Sequence, residues 1–106
     1  MQIYKDQVYS FKLVSGEEIL AEVTDVDVNF YDIVNPLTIT LTAQGPDTLP
    51  GMIAGDYSKA MELNTNNICL IAEVEDHIKV SYRKAIAEMK QDIIDRRKEK
   101  ENASSQ

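Results

Sequence analysis

The apolar residues change their period once, near Asp76, and that change constrains the fold more than any other feature of the chain. Upstream they alternate: Tyr9, Phe11 and Leu13, then Ile19, Ala21 and Val23, then Tyr31, Ile33, Leu37, Ile39 and Leu41. A period of two marks strands that bury one face. Downstream, Ile78, Tyr82, Ile86, Met89 and Ile93 are separated by four, four, three and four positions, which is one face of a helix. Strands followed by a single helix exclude an alternating strand–helix architecture with a parallel sheet.

The strand region is punctuated by turns. Ser15-Gly16 marks a tight turn between the first two strands. In the second strand the apolar positions pass from odd (Ile19, Ala21, Val23) to even (Val26, Val28), which requires a bulge or sharp bend. The third strand places Tyr31, Ile33, Leu37, Ile39 and Leu41 on one face, with Thr38, Thr40 and Thr42 on the other. Gln44 to Gly51, with two prolines and two glycines, reads as a loop. Met52-Ile53-Ala54 and Met61-Glu62-Leu63 are short strand candidates, and Asn64 to Asn67 is a turn. Ile68 to Val74 reads as a compact strand at the centre of its sheet, with Cys69 as a small core residue. Asp76 suits a helix N-cap, and Lys84–Glu88 and Asp92–Arg96 are opposite charges one turn apart. The expected fold is therefore mainly β. A small, five-stranded, strongly bent antiparallel barrel of the OB or Sm type occupies residues 1–75, a C-terminal α-helix residues 76–100, and a frayed tail residues 101–106.

The 106 residues are enough for one small domain. No apolar run is long enough for a membrane-spanning helix. The first residues lack a signal-peptide pattern, which points to the cytoplasm. The net charge of −7 is divided unevenly: thirteen acidic and three basic residues up to Ile78, then five acidic and eight basic residues from Lys79 onward. The body is thus −10 and the helix and tail +3. Such a balance argues against a simple basic nucleic-acid binder and leaves the basic helix as a place to meet a protein partner.

Catalytic and metal chemistry find little support. Asp25, Asp27 and Asn29 look like the start of a calcium loop, but Phe30 stands where glycine is needed and Pro36 where the closing glutamate is needed. His77 is the one histidine and Cys69 the one cysteine, so neither a zinc set nor a nucleophile–base pair is expected, and no cofactor is called for.

The stretch Phe11 to Val23 resembles the first Sm motif: an apolar strand, a turn glycine at Gly16, and a small residue, Ala21, five positions on, with Asp27 at the acidic position further along. Asn67-Ile68-Cys69-Leu70-Ile71-Ala72-Glu73-Val74 resembles the strand of the second motif. The closest likeness is to the divergent Sm-like proteins of tailed phages, including cyanobacterial ones, which would place the chain in a host cytoplasm. The resemblance implies a cyclic homo-oligomer of about five to seven subunits, closed where the fourth Sm strand of one copy pairs with the fifth of the next. It also implies single-stranded RNA at the pore, held by two loops. In this sequence those loops carry Asn29, Phe30 and Tyr31, and Asn64, Asn66 and Asn67. The register with Ile33 instead favours Tyr31 as a core residue. Three departures stand out: Tyr31 occupies the place of the first motif's asparagine, Asn64 to Asn67 replaces the Arg-Gly pair of the second, and the helix follows the strands rather than preceding them. A ring that binds protein and has no RNA role is the alternative.

Overall fold

A computed structural model describes residues 1–104. Six strands come first: β1 (Gln7–Leu13), β2 (Glu18–Val26), β3 (Phe30–Thr42), β4 (Gly45–Pro50), β5 (Met61–Asn64) and β6 (Ile68–Glu73). A 3-10 turn (Thr65–Asn67) joins β5 to β6, and a helix, α1 (Asp76–Ser104), is the last element among the described residues. Contacts divide the chain into two units, Met1–Glu75 and Asp76–Gln106.

The strands form one antiparallel sheet in the order β4-β3-β2-β1-β6, with β5 also paired to β3. Among the described residues no pairing joins β5 to β6, so the sheet is not closed into the expected barrel, and it has six strands rather than five. The β1–β2 turn forms as expected. Leu13 N–H donates to Glu17 O at 2.8 Å and Gly16 N–H to Leu13 O at 2.9 Å, with Gly16 at φ 95°, a conformation that glycine adopts without a Cβ penalty.

The core face carries Tyr9, Phe11, Ile19, Ala21, Val23 and Ile33, all buried, with Leu13, Tyr31, Met61, Leu63, Ile68 and Ile71 packed against them. The opposite face buries Val8, Leu20 and Leu37. The parity switch in β2 is real: the β2–β3 register jumps between Val23 and Asp25, leaving Thr24 without a directly opposed residue. A second jump, between Leu20 and Glu22, sets Asn35 and Pro36 together against Ala21. Asn35 has φ 55°, a left-handed conformation that asparagine tolerates better than most residues. That bulge turns β3 over. Ile33 opposes Val23 on the core face, whereas Leu37 opposes Leu20 on the other, so Tyr31, Ile33, Leu37, Ile39 and Leu41 do not share one face as the alternation predicts.

Further departures concern the edges. Residues 45–50 are not a loop but β4, which runs along residues 37–42 of β3. Its two prolines are tolerated because an edge strand has one side with no ladder to supply. Met52 to Ala54 is not a strand; Ile53 is fully exposed. This connection is tied back at Pro36, whose carbonyl accepts Gly51 N–H and the Tyr57 hydroxyl, each at 2.9 Å. A Cβ on Gly51 would sit 2.9 Å from that same oxygen, so the approach needs glycine. β6 lies at the end of the sheet path rather than at its centre, and Cys69 is exposed, not in the core.

The helix runs through Ser104, beyond Lys100 and through the first residues of the expected frayed tail; the last two residues of that tail lie outside the described residues. Asp76 is its first residue. Tyr82 and Ile86 are buried and Met89 and Ile93 half-buried, on the face marked by their spacing. Among the described residues neither Lys84–Glu88 nor Asp92–Arg96 closes to an ion pair. Gln91 Nε2 instead donates to Asp95 Oδ1 at 3.0 Å.

Candidate nucleic-acid interface

The two segments singled out for RNA lie far apart in sequence and meet at one end of the sheet. β5 runs antiparallel to the start of β3, with Phe30 opposite Asn64 and Tyr31 opposite Leu63. The β2–β3 connection is then tied to the 3-10 turn through Asn29. Its carbonyl accepts Thr65 N–H at 3.0 Å and the Thr65 hydroxyl at 3.1 Å. Asn29, Phe30, Asn64, Asn66 and Asn67 are thereby brought together. Thr65, which joins them, is absent from the sequence-derived set. Its only sequence signal is its place between two asparagines, a turn pattern that does not reveal what the hydroxyl reaches.

Local hydrogen bonds fix both loops. Asn64 Oδ1 accepts Asn66 N–H at 2.9 Å and so caps the turn. Asn67 O accepts Val14 N–H at 2.8 Å, which ties the turn to the β1–β2 connection. Asp27 N–H donates to Phe30 O at 2.9 Å, and Asp27 Oδ1 accepts Asn29 N–H at 3.4 Å. Asn29, Phe30, Asn66 and Asn67 are exposed and Asn64 is half-buried. Among the described residues no hydrogen bond engages the side-chain amides of Asn29, Asn66 or Asn67, which are therefore available to a ligand. Tyr31 points elsewhere. It packs against the core, its ring centroid 6.3 Å from that of Phe11, in keeping with the register argument.

The electrostatics of this end are one-sided. Asp25 opposes Asp32 in the β2–β3 pair, and Asp32 opposes Glu62 in the β3–β5 pair, so three carboxylates stand in a row across three strands. Like charges directly opposed destabilise a sheet. These three, with Asp27, line a shallow groove around Phe30. Lys5 relieves one end of the row, with its Nζ 3.2 Å from Asp25 Oδ1. That hydrogen bond, then Val26 N–H at 2.9 Å, then the ammonium charge, hold the Asp25 carboxyl below its usual value. The row depends on strand register and cannot be read from residue order. Chemically, the loops offer amides and one aromatic ring, in a negative field.

Among the described residues no group of three or more His, Cys, Asp or Glu side chains could hold a metal ion. No helix among them is long and apolar enough to cross a membrane. Comparison with protein-family models matches none, and comparison with curated proteins finds no relative.

Proposed function

We propose that the protein is a ring-forming module of the Sm-like type that presents the Asn29–Phe30 and Asn64–Asn67 loops to single-stranded RNA. The observation that carries the reading is the state of the sheet edges. β4, β5 and β6 each pair with one strand only. β4 is guarded by Pro46, Asp47 and Pro50, residues that blunt an edge. β5 and β6 contain no proline, and β6 leaves Leu70 68% exposed. These edges carry one glutamate each, Glu62 and Glu73, but no proline, so their ladders are open to a partner strand, and pairing β5 of one copy with β6 of the next satisfies both edges at once. On such a ring the loops supply ring stacking from Phe30 and hydrogen bonds from the asparagine amides.

The test is a native mass measurement. A discrete assembly of about five to seven chains is expected, as cyclic closure requires. Leu70→Glu places a charge on the β6 edge opposite Lys12, its partner on β1, so the subunit should stay folded while the assembly falls apart. A wild-type protein that is monomeric at every concentration overturns the ring.

The acidic groove supports a second reading, in which the ring is a scaffold for a protein partner. Fluorescence anisotropy with U-rich and A-rich RNA at low and high salt separates the two. Binding lost in Phe30→Ala supports the RNA reading; no binding at low salt, where phosphate contacts are strongest, leaves the scaffold.

A further inference from the structure

The loops carry no cation, yet the chain has a row of them elsewhere. Lys79, Arg83, Lys90 and Arg97 lie on α1 at successive spacings of four, seven and seven residues. At 3.6 residues per turn these positions fall within about 40° of one another around the axis and extend over about 27 Å. Arg83, Lys90 and Arg97 are exposed, and Lys79 is half-buried. An ordinary solvated helix face mixes the two signs so that neighbours one turn apart neutralise each other. Here the signs are partly segregated. Glu88, Asp92, Asp95 and Glu99 fall on the opposite side of the helix, together with Lys84, whereas Asp76 and Glu101 close the two ends of the row, three residues before Lys79 and four after Arg97. The positions three and four away from Arg83 hold Lys79, Val80, Ile86 and Ala87; those around Lys90 hold Ile86, Ala87, Ile93 and Ile94. Neither cation has an acidic neighbour at helical contact distance, and Lys79 and Arg83 are like charges at i, i+4, an arrangement that costs the isolated helix stability.

We infer that this stripe is a docking surface for the phosphate backbone of a nucleic acid, separate from the loops and independent of the ring. Charge complementarity selects the occupant: a row of cations four, seven and seven residues apart along one helix matches a linear polyanion, and nothing in the row reads bases. Repulsion from the acidic body opposes binding and is itself weakened by salt, with a screening length of about 8 Å at physiological ionic strength. A backbone-only surface does not distinguish RNA from DNA.

The experiment is fluorescence anisotropy of the full chain with labelled poly-U and poly-dT oligonucleotides, between about 50 and 200 mM salt. Four phosphate contacts predict that log K falls against log salt with a slope of about −2.8 for a single strand, equal for both probes. Arg83→Gln/Lys90→Gln/Arg97→Gln should weaken binding by about tenfold or more at the low-salt end and reduce the slope to about −0.7. Arg83→Lys/Arg97→Lys should keep both, since the charge remains, and circular dichroism reports whether each variant keeps its helix. No binding to either probe at low salt overturns the inference. So does wild-type binding by the folded triple variant, or binding to anionic phosphatidylserine vesicles but to neither oligonucleotide. Loss of binding in Phe30→Ala with an unchanged triple variant places the contact in the loops and overturns the stripe alone.

Discussion

Lys5 and Asp25 show how a single pair shapes the acidic end of the sheet. The folded Asp25 carboxyl is held below its ordinary value, so its contribution to stability is present above the unfolded value, about 3.9, and is lost as pH falls through the folded value. Both side chains are well exposed, so salt screens the effect. Replacing Lys5 by alanine should move the Asp25 titration, followed by NMR, upward toward the ordinary range, and should do so less at high salt. An unmoved titration would mean that Val26 N–H holds the carboxylate alone. At this scale the sequence is a mixed guide. Tyr31 was legible as a core residue because its register with Ile33 carries through to Val23 and Val26 across the strand pair. The exposure of Cys69 was not legible, because apolar neighbours say that a strand is present but not which of its edges or faces is covered.

At the scale of elements, the outcome turned on bulges and edges. The first two strands, their glycine turn and the onset of the helix follow from periods of two and 3.6 and from turn chemistry. β4 was hidden because glycine and proline punctuate loops and also guard edge strands, and only pairing with residues 37–42 separates the two cases. The reversal of faces in β3 was hidden for a related reason: the odd-numbered apolar residues continue unbroken past a position where the backbone turns over. Asn35 is that position. Asn35→Ala forces an alanine into φ 55° and should cost about 1–2 kcal/mol in urea unfolding, the ordinary penalty for a Cβ in the left-handed region. Asn35→Gly removes the backbone penalty, so it should cost less than the alanine. If alanine proves neutral, the left-handed angle is not what maintains the bulge. The meeting of the two loops rests on the β3–β5 pairing, which residue order does not reveal, and its joining residue, Thr65, carried no signal of its own.

At the scale of the whole molecule, the proposed ring would tie stability to concentration. If copies close a ring through β5 and β6, the folded state is stabilised by assembly, and the Tm should rise with protein concentration. A Tm that stays constant over a hundredfold range would separate folding from assembly. The partition of charge sets a second property at this scale. With −10 in the body, assembly gathers negative charge, so oligomers should gain most from added salt, while nucleic-acid binding on the helix should lose most from it. The two readings are thus distinguishable by ionic strength alone.

The Asn35–Pro36 bulge has a consequence for how the chain can vary. It lets one strand lend the same edge twice, first to β5 and then to β4. Everything between the two loans returns to its starting point, held at the Pro36 carbonyl by Gly51 and Tyr57. The hairpin is therefore a cassette. Its β3 arm stays fixed as far as Ile39, where pairing with β2 stops, and beyond that point a change of length should leave the register that sets Phe30 beside Asn64 in place, much as a drawer slides without moving the cabinet.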